Sequence, residues 1–166
     1  STGLSGVTAI SAGYDHSIAI DTAGDVYVWG RNDYGRLGAR SGEDCGYPYY
    51  CLPSPFYLPG IRGRMPAGGG FHTLISLGNG GVMASGWNLY GQLGEDSADI
   101  CTGSPGSGIP EECSFDLLQI SRLSSIQAVA AGGAHSAAIA VDGTLYTWGA
   151  NGNGQLGVTP ATQEGL

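Results

Sequence analysis

"IQAVAAGGAHSAAIAVDGTLYTWGANGNGQLG" occupies residues 126–157. Within it, Ala-Ala-Ile-Ala, Val-Asp-Gly-Thr and Leu-Tyr-Thr-Trp read as strand, turn and strand. Short runs of apolar and aromatic residues flank an Asp-Gly step that tolerates positive φ. The pattern recurs at 7–38 as "VTAISAGYDHSIAIDTAGDVYVWGRNDYGRLG" and more loosely at 61–94, which ends "VMASGWNLYGQLG". Each unit sets a His after a Gly-rich step: His16, His72 and His135. A Gly follows eight residues later (Gly24, Gly80, Gly143) and another six residues beyond that (Gly30, Gly86, Gly149). Each unit closes with Gly-[Arg/Gln]-Leu-Gly, whose Leu37, Leu93 or Leu156 is expected to plug a core. One small antiparallel sheet cannot bury both of its faces, so the units are expected to stack on one another.

These motifs resemble the regulator of chromosome condensation repeat family. The resemblance rests on Ala12-Gly13-Tyr14-Asp15-His16, on Gly143-Thr144-Leu145-Tyr146-Thr147-Trp148-Gly149 and on Asn151-Gly152-Asn153-Gly154-Gln155-Leu156-Gly157. It implies an all-β fold of antiparallel, propeller-type blades, usually seven of four strands each. The middle unit departs from the pattern. Ser85 stands where the other units have Trp29 and Trp148, and Trp87 lies two places later, so this blade is expected to pack differently and Trp87 to approach the surface.

Three units are fewer than the roughly four to eight blades that close a propeller. An open arc exposes sheet faces and edges. The chain is therefore expected to be part of a larger propeller, or to close by head-to-tail association into a ring, array or filament. The spacing of the ends agrees: the nine residues after Gly157 and the first 38 would place 47 residues between successive closing glycines, against 56 and 63 inside the chain.

The extra length sits in two insertions, 39–60 and 95–125, with two cysteines each. Four cysteines allow three pairings, of which Cys45–Cys51 with Cys101–Cys113 is the simplest. Disulfides persist in oxidising compartments, so an extracellular or cell-surface setting is expected. The start, "STGLSG", shows no charged or apolar leader region, so any signal peptide is expected to be already removed or to lie outside this sequence. The chain has 166 residues, 31 of them Gly, with only 12% charged residues and a net charge of −8. Its six basic residues are all Arg. That balance argues against nucleic acid, whose phosphates need a basic footprint, and against anionic membranes. No apolar run approaches the roughly 20 residues of a spanning helix. No Asn-x-Ser/Thr sequon occurs; Ser54, Ser104 and Thr159 stand beside Pro, where O-glycans are sometimes carried.

Catalytic and metal readings find little support. Repeat symmetry puts His16, His72 and His135 on separate blades, in structural roles, as with Trp29 and Trp148. Asp15, His16 and Ser17 are sequential residues that cannot converge as a triad from one strand. Glu95, Asp96, Asp99, Glu111 and Glu112 gather in the second insertion, but in no known Ca²⁺ loop pattern, so they are expected to be solvated. No cofactor is expected. The stretch "YPYYCLPSPFYLPG" (47–60) combines rigid aromatics with Pro. Tyr47, Tyr49, Tyr50, Phe56 and Tyr57, with Trp87, are the candidate binding or assembly residues. The same stretch also suits a loop covering the edge of its own blade.

The family resemblance implies a rigid platform used for very different purposes, including nucleotide exchange on a small GTPase, chromatin binding, light sensing and β-lactamase inhibition. A photoreceptor reading lacks its Gly-Trp-Arg-His-Thr motif here. The expected function is a non-enzymatic extracellular scaffold whose blades assemble head to tail, with protein partners: copies of itself or adjoining repeats. The alternative is a secreted binding module, adhesin or inhibitor, acting through the Tyr-rich loop.

Overall fold

A computed structural model describes residues 1–45, 50–97, 99–102 and 110–159. Twelve strands run through them. They are β1 (Val7–Ala12), β2 (His16–Asp21), β3 (Asp25–Arg31), β4 (Glu43–Asp44), β5 (Tyr50–Gly68), β6 (His72–Leu77), β7 (Val82–Trp87), β8 (Asp99–Thr102), β9 (Pro110–Gln119), β10 (Ile126–Ala131), β11 (His135–Ala140) and β12 (Leu145–Gly149). All pairings are antiparallel. The fold is all-β and built as propeller-type blades.

The strand order resolves into three blades. The first is β1-β2-β3 closed on its outside by the N-terminal half of β5, with β4 at the rim. The second begins with the C-terminal half of β5, from Gly63 to Gly68, and continues through β6, β7 and β9, with β8 on its edge. The third is β10-β11-β12. The Tyr- and Pro-rich stretch, expected as a loop, is strand from Tyr50 onward. Pro53, Pro55 and Pro59 are tolerated because this is the outer strand of its blade, where a missing N–H disrupts little pairing. β5 then runs unbroken into the second blade. Tyr47 and Tyr49 lie outside the described residues.

The turns follow the sequence. Between β2 and β3, the Asp21 carboxylate accepts from the N–H groups of Ala23 and Asp25, and Gly24 takes φ +82°, a conformation a side chain would strain.

The core lies between blades rather than inside them. Ile18, Ile20, Val26, Val28 and Leu37 pack against Ile75, Leu77 and Leu117 of the next blade. Leu74, Val82, Ala84 and Leu93 pack against Ile126, Ala138, Ala140 and Trp148. Neighbouring side chains on a strand point to opposite faces. β6, covered on both faces, is therefore buried from His72 to Ser76, whereas β11 alternates between buried and partly open positions.

Candidate functional site

The repeated residues first build joints between blades. His16 Nε2 lies 2.9 Å from the Thr73 hydroxyl of the second blade, and His72 Nε2 lies 2.9 Å from Ser136 Oγ of the third. Ser136 Oγ donates to the Gln92 carbonyl at 2.8 Å, so it accepts from His72, which carries its proton on Nε2. Trp148 Nε1 donates to the same carbonyl at 2.9 Å. In the middle unit Ser85, at the Trp position, donates to the Arg36 carbonyl at 3.5 Å, a smaller group making the equivalent link. Burial pushes the His16 pKa down to about 4, helped by the nearby Arg36 and opposed by Asp15. It pushes His72 down to about 3, helped by His16 and His135. Both rings are neutral and structural.

The Asn of each closing motif has a parallel task. Asn32, Asn88 and Asn151 each accept from the N–H of Leu37, Leu93 and Leu156 at 3.0, 3.0 and 3.1 Å. Their amide NH₂ groups donate to the carbonyls of Ala39, Glu95 and Val158. The side chain thus closes the turn that carries the Leu plug. Leu37 and Leu93 are fully buried, whereas Leu156 is half-buried.

The loops that precede β2 and β6 and those that follow β3 and β7 meet at one end of the blades. There five aromatic rings form a run. Tyr14 meets Phe71 at 5.8 Å, Phe71 meets Tyr34 at 5.9 Å and Trp87 at 5.6 Å, and Trp87 meets Tyr90 at 5.4 Å, all edge to face. Tyr34 and Trp87 also touch, tilted, at 6.1 Å. Edge-to-face pairs at such distances add to the burial they bring. The middle of the run is packed, while Tyr14 is 69% exposed and Tyr90 48%, with Leu89 beside it at 49%. Tyr34 holds φ +62°, an uncommon non-glycine conformation that turns the ring inward.

Arg36 anchors the run from below. It takes the place that Gln92 and Gln155 occupy in the other units and is fully buried. Its guanidinium lies 5.0 Å from the centre of the Phe71 ring and donates to the Gly70 and Asp33 carbonyls at 3.2 Å each. Burial lowers its pKa to about 10, with the Asp33 carboxylate opposing the shift, so it stays charged at neutral pH. Cation–π and ionic contacts compensate for that buried charge.

The second insertion braces the same end. Cys101 and Cys113 form a disulfide that packs with Tyr34, Trp87, Phe71 and Phe115. Trp87 Nε1 donates to Glu111 at 2.7 Å. Arg40 bridges Asp99 at 3.0 Å and Asp116 at 2.7 Å, tying the first blade's closing loop to β8 and β9. The Phe115 N–H and Arg40 hold the Asp99 carboxyl below its ordinary range, and Ser121 does so for Glu95. Four of the insertion's six carboxylates, Glu95, Asp99, Glu111 and Asp116, thus have protein partners, while Asp96 and Glu112 are exposed. Among the described residues no group of three His, Cys, Asp or Glu side chains could hold a metal ion. Asp15 turns to Arg31 while His16 faces Thr73, so the pair makes no shared site.

Of the residues singled out from sequence, Trp87 lies within the run. Tyr50 stands beside its rim, its N–H on the Asp33 carboxylate at 3.4 Å, and is 62% exposed. Phe56 and Tyr57 lie farther along β5, Tyr57 against Tyr27 at 5.8 Å. Cys45 is bonded to Cys51. Tyr14, Tyr34, Phe71, Tyr90 and Arg36 were not legible as a site. The one signal was Arg36 standing where the other units carry Gln.

Comparison with known proteins bears on all of this. The repeat model of the regulator of chromosome condensation (RCC1) matches residues 7–36 and 126–155, and a second model of the same repeat matches 23–76. Human probable E3 ubiquitin-protein ligase HERC4 is 33% identical over 162 residues, which cover 95% of this chain and 14% of that protein. The Arabidopsis thaliana ultraviolet-B receptor UVR8 is 32% identical over 152 residues, covering 91% of this chain and 31% of the receptor. The chain thus spans less than a third of either relative. Among solved structures, Prp20p from Saccharomyces cerevisiae superimposes with a TM-score of 0.76 at 25% identity, over 99% of this chain and 37% of that one. The joints, the closing Asn turns and these matches agree: the chain belongs to the RCC1 repeat family.

Proposed function

We propose that this chain is a non-enzymatic extracellular scaffold that holds a protein partner on its aromatic loop face. The observation that carries the reading is the run from Tyr14 to Tyr90. Its rigid, packed centre and exposed ends have the make-up of a protein-binding hot spot. The ordering of these rings is complete before binding, which lowers the entropy lost on association. Two disulfides favour a setting outside the reducing cytosol. Protein binding, as distinct from location, is also named for solved structures of this fold: yeast RCC1 (Prp20) bound to Kap60, and Prp20p with binding properties to Gsp1p and histones. The ligase activity named for HERC4 belongs to a protein of which this chain matches only 14%.

The test compares the wild-type chain with Tyr14→Ser/Tyr90→Ser as immobilised baits for native extracellular protein, with quantitative mass spectrometry as readout. A defined set of proteins retained by the wild type should fall at least tenfold on the variant, whose far-ultraviolet circular dichroism stays unchanged. Equal retention of every protein by both baits would refute the reading. A second reading places the contact on the outer strand of the first blade, where Tyr50, Phe56 and Tyr57 are 62, 36 and 41% exposed. Phe56→Ser/Tyr57→Ser separates the two: only on this second reading does it release the partner.

A further inference from the structure

We propose that the aromatic loop face takes its partner protein through an arginine side chain, held by the Trp87 and Tyr90 rings and the Glu111 carboxylate. This rests on the reading of that face as a protein-binding surface and names the chemistry it selects. The molecule builds one arrangement twice in full: an aromatic ring, a carboxylate and a guanidinium. Arg36 lies 5.0 Å from the centre of the Phe71 ring, with the Asp33 carboxylate 3.9 Å away. Arg40 lies 5.9 Å from the centre of the Phe115 ring and pairs with Asp99 at 3.0 Å and Asp116 at 2.7 Å. At the end of the aromatic run the same arrangement recurs without its cation. Trp87 and Tyr90 meet edge to face at 5.4 Å, and Trp87 Nε1 donates to Glu111 Oε2 at 2.7 Å. Among the described residues Glu111 Oε1 has no hydrogen-bond donor, and the Tyr90 ring beside it is 48% exposed.

The chain has no cation left for that place. It contains no Lys, and its six basic residues are all Arg. Arg31 pairs with Asp15 and Asp33, and Arg36 is fully buried. Arg40 is held by its two carboxylates. Arg62, Arg64 and Arg122 lie at the opposite end of the strands, where Arg62 pairs with Asp25 and the neighbouring Gly63 faces Leu77, and where Ile120 bonds to Val82. The first blade shows what the second lacks. Arg31 and Trp87 are equivalent, since each follows the Gly paired with the His of its blade and each faces a Cys of the outer strand, Cys51 or Cys113. The first blade thus supplies a cation to its carboxylates where the second supplies an indole N–H. Glu111 is fixed before binding, because it stands opposite Cys101 in β8, which the disulfide to Cys113 ties to β9. Carboxylates dominate this end: Asp15, Asp33, Glu43, Glu111 and Glu112 stand there with Arg31 and the buried Arg36. Such a field draws in a cationic segment. Arginine suits the place better than lysine, because a planar guanidinium can stack on a ring and still donate to a carboxylate. The place lies over the middle blade, which has a blade packed on either side.

The test titrates the isotope-labelled 166-residue chain, both disulfides intact, with a short peptide of alternating Gly and Arg, followed by proton–nitrogen NMR. The Trp87 indole N–H is one of three indole signals. It should shift saturably, while that of Trp148, bonded to the Gln92 carbonyl between blades, stays in place. The same peptide with citrulline for Arg, neutral and of the same shape, should leave the Trp87 signal unmoved. Glu111→Gln keeps an acceptor for the indole and should weaken binding about tenfold. Tyr90→Ser should weaken it about fivefold. Asp142→Asn removes the same charge from the exposed β11–β12 turn at the opposite end and should bind as wild type does. A Trp87 signal that does not move overturns the proposal. So does equal binding of the citrulline peptide, or a Glu111→Gln chain that binds no worse than Asp142→Asn. If the peptide fails while the Tyr14→Ser/Tyr90→Ser bait still loses proteins that the wild type retains, the arginine assignment falls and the protein-binding face stands. If the peptide fails and both baits retain every protein equally, the reading of the face falls with it.

Discussion

Lowering the pH from 7.5 to 5.0 should cost this fold about 4 kcal/mol, and two residues account for it. His16 and His72 have folded-state pKa values of about 4 and about 3, below the ordinary 6.5. A depressed folded pKa means that the unfolded chain takes up protons the folded chain refuses. The stabilisation is therefore complete above pH 6.5 and is lost as pH falls toward 4. Each pH unit in that window is worth about 1.4 kcal/mol per ring. At pH 5.0 the deficit is about 2 kcal/mol for each histidine. The groups facing them are Arg36 and Asp15 around His16, and His16 and His135 around His72. Carboxylates of ordinary pKa, near 4, remain largely ionised above pH 5. Urea unfolding followed by Trp fluorescence at both pH values measures the difference directly. A loss near 2 kcal/mol would mean that one ring is protonated in place, and a loss below about 1 kcal/mol that both are, which would refute the assignment of neutral joints. Replacing both rings by Asn should flatten the profile between pH 5.0 and 6.5.

Other expectations follow from burial and cross-links. Leu93→Ala should destabilise by about 2–5 kcal/mol and Leu156→Ala by well under half as much, since only the first side chain is sealed between blades; urea midpoints of the two variants decide this. Asn88→Ala removes both bonds that close its loop and should cost about 2–3 kcal/mol in the same assay. Replacing Cys101 and Cys113 together by Ser opens a 12-residue separation and should cost about 3 kcal/mol. It should also change the near-ultraviolet circular dichroism of Trp87, which packs on that bridge, and an unchanged spectrum would count against the bracing role.

The blades were legible because their signals are local. Ser17-Ile18-Ala19-Ile20 and Val26-Tyr27-Val28-Trp29 alternate across a turn that their own Asp and Gly define. The repetition of His16, His72 and His135 pointed to structural roles before any partner was visible. The aromatic run was not legible, because Tyr14, Tyr34, Phe71 and Tyr90 come from four different loops. Each looks like an ordinary turn residue until the blades pack. Arg36 was hidden for a similar reason: Gly-Arg-Leu-Gly reads as a variant of Gly-Gln-Leu-Gly, and its burial depends on Phe71 and Gly70 of another unit. The part of the 47–60 stretch from Tyr50 to Gly60 was misjudged as loop because Pro53, Pro55 and Pro59 outweighed the aromatic signal, although Pro is admissible on an outer strand.

The unbroken course of β5 has a consequence for how the molecule opens. One backbone segment of 19 residues is the outermost strand of the first blade and the innermost strand of the second. Neither blade can fray without pulling that shared segment from its neighbour, so the pair should behave as one cooperative unit. Between the second and third blades the chain instead passes through the short connection 120–125, and each side keeps its own strands. Amide hydrogen exchange should therefore show β2, β3, β5 and β6 protected together to the same free energy. β11 and β12 should exchange earlier, through an opening in which the third blade swings away while the other two stay closed.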